Sequence, residues 1–125
     1  MKKLVATDQA PAAIGPYVQA VSAGGFVITS GQLPINPETG LFPEGIEEQT
    51  RQSLKNVRAI LKEAGIDMDH VIKTTVFLSD MNNFDAMNQV YAEFFAEGSY
   101  PSRSAVEVAR LPKDALVEVE AIAIF

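Results

Sequence analysis

The chain has no cysteine and a single histidine, His70. Without thiols it can form no disulfide, thiolate metal site or cysteine nucleophile, and the composition fits a reducing compartment, the cytoplasm. His70 has no second histidine or cysteine to share a metal with, so no metal site is expected. Cations are also scarce: ten Lys and Arg stand against sixteen Asp and Glu, a formal net charge of -6. Nucleic-acid affinity draws on Lys and Arg, so no nucleic-acid partner is expected and only a localised anion site stays open. No stretch approaches the roughly 18 apolar residues of a membrane span. After Lys2 and Lys3, only Leu4, Val5 and Ala6 precede a polar residue, too short an apolar run for a secretory signal. No Gly-rich phosphate loop is present, since Gly24-Gly25 sits where a hairpin turns.

What is present suits one globular domain over residues 1–125, with 47% hydrophobic and 21% charged residues. A domain of this length buries roughly two-thirds of its unfolded surface, enough for a real core. The stretch from Tyr100 to Phe125 organises the rest. Tyr100 to Arg110 and Ala115 to Phe125 both alternate at period two around Leu111-Pro112-Lys113-Asp114, which predicts two strands joined by a short turn. Arg103 and Glu118 lie inside these strands. A charge there is costly unless solvated, paired or reserved for a ligand.

Upstream, two prolines and a glycine make residues 8–16 a loop, and Tyr17 to Ser22 and Phe26 to Ser30 flank Ala23-Gly24-Gly25 as a hairpin. Ile46, Thr50, Leu54, Val57, Leu61 and Ala64 recur at three- or four-residue steps, predicting a helix from Glu47 to Ala64 with a Glu47 to Arg51 ion pair. Val71 to Ser79 is apolar on both faces, as a central strand is. A second helix is predicted from Asn83 to Ala96, its Phe84, Met87, Tyr91, Phe94 and Phe95 stripe read as core. The order β-β-α-β-α-β-β predicts an α+β fold, one mixed sheet with both helices on one face. The other face would turn Val, Ala, Ile and Phe to water, so the chain predicts its own oligomer.

Pro101-Ser102-Arg103-Ser104-Ala105-Val106 followed by Val117-Glu118-Val119 resembles the signature of the RidA (YjgF/YER057c/UK114) family. Ile14-Gly15-Pro16-Tyr17, Thr29-Ser30-Gly31-Gln32 and Val108-Ala109-Arg110-Leu111-Pro112 are similar to the same family, so the resemblance spans the chain. It implies a homotrimer of chorismate-mutase-like subunits around a central barrel, with a cleft between each pair of neighbours. The implied activity is hydrolysis of reactive enamines and imines, 2-aminoacrylate and its imine tautomer among them, to a 2-keto acid and ammonia. No cofactor is implied, and pyridoxal-phosphate-dependent dehydratases would supply the substrate.

On that resemblance Arg103 grips the substrate carboxylate, Glu118 positions or activates water, and Tyr17, Ser30, Gly31 and Asn88 line the cleft. Many members carry Cys two residues after the arginine, where this chain has Ala105, which removes thiol-dependent regulation but leaves imine hydrolysis intact. The residue types suit the chemistry independently: a guanidinium holds both oxygens of a carboxylate, and one carboxyl group can take a proton from water and return it to nitrogen. Two other functions compete, a 2-keto acid binding or regulatory module using the same Arg103, and a ribonuclease-like activity, which the acidic balance disfavours. If the last two strands paired directly about Pro112 and Lys113, Arg103 and Glu118 would stand roughly 13 Å apart at 3.3 Å per residue. Either another strand intervenes or a neighbouring subunit completes the pocket.

Overall fold

The computed structural model describes residues 1–125. Strands β1 (Lys3–Val5), β2 (Ala20–Ala23) and β3 (Phe26–Thr29) are followed by helix α1 (Ile46–Glu63), strand β4 (Val71–Leu78), helix α2 (Phe84–Ala92) and strands β5 (Ser102–Glu107) and β6 (Val117–Ile124). They form one six-stranded sheet in the order β1-β2-β3-β6-β4-β5. Only β4 and β5 run parallel, so the sheet is mixed.

The core lies between this sheet and the two helices. On β6, Val117, Val119, Ala121 and Ala123 are buried, while Glu118, Glu120, Ile122 and Ile124 alternate onto the opposite face. Leu54, Val57, Ile60 and Leu61 of α1 and Met87 of α2 are sealed against the buried set. The uncovered face presents Phe26, Ile28, Val106 and Ile124, each at least 40% exposed. Both helices pack on the other side of the sheet and leave this apolar face uncovered.

The predicted β2–β3 hairpin forms, with Gly24 and Gly25 at φ +57° and +84°, the left-handed backbone that a two-residue turn demands. It starts at Ala20 rather than Tyr17, because Val18 and Gln19 instead hold Ser30 through their carbonyls. Of the arrangements left open for the last two strands, an intervening strand is the one found: β4 lies between them, parallel to β5 and antiparallel to β6. β4 is apolar on both faces and takes a central place, whereas β5, carrying Ser102, Arg103, Ser104 and Glu107, tolerates the sheet edge. Other expectations are corrected. The connection from β5 to β6 is accordingly not a tight hairpin but a turn with Lys113 and Asp114 at φ +56° and +57°. The leader forms β1, three residues along the edge of β2. Helix α2 ends at Ala92, although Phe94 and Phe95 still pack on the core. Arg51 pairs with Glu48 and, at 2.9 Å, with Glu93, tying α1 to the end of α2; Glu47 takes no part.

Candidate active site

Glu118 projects from β6 into a cavity of about 450 Å³, whose wall includes Tyr17, Ser30, Gly31, Ile35 and Pro112. The segment beside it is fixed by its backbone. Gln32 and Val119 exchange hydrogen bonds of 2.7 and 3.2 Å, a single antiparallel bridge that lays Gly31 along the Glu118 side chain. A Cβ at Gly31 would sit 2.9 Å from Glu118 Cδ, so any larger residue there must push the Glu118 side chain aside. Ser30 Oγ donates to the Val18 carbonyl at 2.6 Å. Buried Gln19 pins the far wall, donating to the Pro11 carbonyl at 2.7 Å and accepting from the Thr7 N–H at 2.7 Å.

The Glu118 carboxyl is half-buried and has no hydrogen bond or ion pair within the chain. The cations of the preceding turn do not pair with it: Arg110 is held by Asp114 at 2.9 Å, and Lys113 makes no ion pair. Burial, and secondarily the negative charge of Glu120 two residues along the same face, push its pKa above the ordinary carboxylate value. A carboxyl raised in this way exchanges protons closer to neutrality, as acid and base work requires.

Arg103 stands on edge strand β5, beneath α2. Its Nη1 donates to Asn88 Oδ1 at 2.7 Å. The guanidinium carbon lies 4.8 Å from the ring centre of Tyr91 and 5.5 Å from that of Phe84. No carboxylate pairs with it. Instead it lines a cavity of about 440 Å³ with Asn88, Tyr91, Ala92, Tyr100 and Pro101. A guanidinium gripped at one corner and supported on its face, with its remaining N–H groups free beside an opening, offers donors suited to an anion. The next residue on the same face, Ala105, packs toward the core and brings no reactive group.

One chain does not bring the two halves together. Arg103 is the register partner of Thr74 on β4, and Glu118 that of Phe77. Thr74 is sealed under the helices, and three residues on, Phe77 points the other way. Arg103 therefore lies on the helix-covered face and Glu118 on the open face, in cavities that share no residue. Tyr17, Ser30 and Gly31 go with Glu118, and Asn88 goes with Arg103. Sequence reasoning missed Tyr91, which it read as core alone; Phe84, Asn88 and Tyr91 recur at four- and three-residue steps, so their common face was open to view. A hollow of about 500 Å³ beside Thr7, Lys55, Arg58 and Lys62 is a polar flank of α1, with Arg58 already bound to Asp67 at 2.9 Å. His70 Nδ1 lies 2.8 Å from the Ile124 carbonyl, and nowhere do three His, Asp or Glu side chains converge as metal ligands.

Fold and site together define a small α+β protein with a guanidinium free of any carboxylate on one sheet face and an unpaired acid on the other. The chain belongs to the endoribonuclease L-PSP family, the RidA/YjgF group, whose family model matches residues 7–125. A 2-iminobutanoate/2-iminopropanoate deaminase of Escherichia coli strain K12 is 54% identical over 126 residues, covering 99% of this chain and 98% of that protein. Among solved structures, E. coli TdcF with bound serine matches at TM-score 0.94 and 50% identity over 98% of both chains. A conserved Rid family protein of Yersinia pestis matches at 0.97 and 49% over the whole of both.

Proposed function

We propose that the protein hydrolyses 2-imino acids and their enamine tautomers to 2-keto acids and ammonia, in clefts between the subunits of a homotrimer. The observation that carries this is the pairing of an uncommitted, pre-oriented Arg103 with an uncommitted, partly desolvated Glu118. The 54% identity to a 2-iminobutanoate/2-iminopropanoate deaminase over nearly the full chain supports the same reaction. Because the two groups occupy opposite faces of one sheet, Arg103 of one subunit is completed by Glu118 of its neighbour. The apolar open face, with Phe26, Ile28 and Ile124, supplies the contact that closes the ring.

The substrate carboxylate docks on the free N–H groups of Arg103, which fixes the imine carbon. Glu118 takes a proton from water as the water oxygen bonds to that carbon and passes it to the imine nitrogen, so the C=N double bond becomes single and a carbinolamine forms. Glu118 then removes the hydroxyl proton and delivers it to nitrogen, the C–N bond breaks, ammonia leaves and the C–O bond becomes the keto double bond. Nothing is oxidised or reduced, so the chemistry calls for no cofactor. Tyr17, Ser30 and Gly31 bound the water-side half, with Gly31 holding Glu118 in place by contact.

The substrate class is what pyridoxal-phosphate-dependent serine and threonine dehydratases release. Such a partnership fits the cytoplasm, and a chain without cysteine is at home in that reducing compartment. No helix is long and apolar enough to cross a membrane. The test couples a dehydratase to the protein and follows keto-acid release. Acceleration by the parent and its loss in Arg103→Ala is the expected result; equal acceleration by Arg103→Ala would contradict the assignment. Saturable keto-acid binding with no acceleration by the parent would favour a binding module instead.

A further inference from the structure

We infer that Tyr91 is a positioning residue for carboxylate recognition: its ring, anchored through its hydroxyl to Thr74, is the platform that holds Arg103 in its receiving orientation. The inference rests on the reading of Arg103 as the carboxylate receptor, and it concerns a residue with no part in the proton transfers.

The contacts form a closed circuit. Thr74 and Arg103 are register partners on adjacent parallel strands, so their side chains leave the sheet on the same side. Above them α2 brings down Tyr91, whose hydroxyl lies 2.6 Å from Thr74 Oγ1 and whose ring centre is 4.8 Å from the Arg103 guanidinium carbon. Asn88, one helical turn earlier, accepts from Nη1 at 2.7 Å. Phe84 adds a second ring at 5.5 Å. Tyr91 is 5% exposed and Thr74 1%, so the hydroxyl pair exchanges its hydrogen bond away from water, where leaving either partner unmatched is costly. Phe95 packs on Tyr91 with ring centres 4.8 Å apart, leaving the tyrosine little freedom to tilt.

The physical consequence is a lowered ordering cost. An exposed arginine loses several rotatable bonds' worth of freedom when it grips a ligand, whereas one resting on a fixed ring and tied at one corner has already lost it. A purely core-filling Tyr91 would make no such difference, because loss of packing lowers stability without altering the affinity of molecules that remain folded.

The experiment measures calorimetric binding of 2-oxobutanoate, a 2-keto acid that is not turned over, to the assembled wild-type protein and to Tyr91→Phe, Tyr91→Leu, Thr74→Val and Arg103→Ala, each with its melting temperature. Tyr91→Leu removes the platform and is expected to weaken binding about tenfold, the range of a desolvated cation–π contact. Tyr91→Phe keeps the ring, loses only the anchor and is expected to stay within about threefold. Thr74→Val should match Tyr91→Phe, and the double variant should be no worse than either, because both delete one hydrogen bond. In the dehydratase-coupled assay the Tyr91 variants should raise KM while kcat holds. Tyr91→Leu binding like Tyr91→Phe, while Arg103→Ala does not bind, would overturn the role of Tyr91 and leave Arg103 standing. If Tyr91→Leu does not fold, additive losses in the Thr74→Val and Tyr91→Phe pair would overturn the anchor. Binding by Arg103→Ala equal to wild type would remove the receptor reading and this inference together.

Discussion

Arg103 and Glu118 face away from each other within one chain, on opposite sides of a sheet in which β4 separates their strands. A substrate small enough to be a 2-imino acid cannot reach through the sheet from one to the other. The functional assignment of both residues therefore stands or falls with the oligomer.

Arg103→Lys keeps the charge and loses the fork. Asn88 would then compete for the same ammonium that must bind the substrate. A fall in kcat/KM of about tenfold or more is expected from the loss of a charged bidentate contact worth ~1.5 to 3 kcal/mol, and steady-state kinetics in the coupled assay checks it.

Glu118→Gln should cut kcat by about 10² to 10⁴-fold while 2-oxobutanoate binding persists. The wild-type rate should fall as pH drops through a value above the ordinary carboxylate range, because burial and Glu120 hold the Glu118 pKa up. Glu120→Gln removes the neighbouring negative charge, eases ionisation of Glu118 and should move that limb to lower pH. Within one chain, Tyr17 and Lys113 line the cavity across from Glu118, and after burial the charge of Glu120 is what raises its pKa.

The same pKa sets a stability effect of the opposite sense. A folded-state pKa above the unfolded value means that the fold disfavours ionised Glu118. Its contribution is most favourable below the unfolded pKa and is lost as pH rises through the folded one. Glu118→Gln should thus melt higher than wild type near neutrality, with the difference shrinking in acid; thermal melts at two pH values decide it.

Gly31→Ala should cost activity more than stability. The added Cβ meets Glu118 Cγ and Cδ at 3.1 and 2.9 Å, and the carboxyl can yield only by swinging away from its station. A displacement of this size at a reacting group costs up to about 10²-fold in rate. A melting temperature near wild type with kcat down at least tenfold is the expected pair of results.

Ile28→Glu places a charge on the open sheet face, where Ile28 is half exposed and pairs across to Ile122. Sedimentation should show dissociated subunits, and these should be inactive although folded. An active isolated monomer would contradict the shared cleft.

Much of this was legible in the sequence because it is local. The 3.6-residue recurrence from Ile46 to Ala64 marks α1, and the doubly apolar run from Val71 marks β4 as central. Strand neighbours are set by long-range competition instead. The turn about Pro112 suggests a hairpin, yet β4 outcompetes β5 for the edge of β6, since it offers apolar side chains to both layers. Lys3–Val5 is too short for any period to show, and it becomes a strand only because β2 offers an edge. Arg103 and Glu118 stand out as charges in apolar strands, but which sheet face each occupies depends on register with β4, which neither strand encodes alone. Tyr91 hid among core aromatics because its role needs the partner strand to bring Arg103 beneath it.

The most direct test mixes Arg103→Ala chains with Glu118→Gln chains, each inactive alone, by unfolding and refolding them together. If each cleft takes its arginine from one subunit and its acid from the next, every mixed trimer regains one intact cleft, and random equal mixing restores about a quarter of wild-type imine hydrolysis. No recovery from mixed trimers, with both parents confirmed folded, would contradict a site shared across subunits.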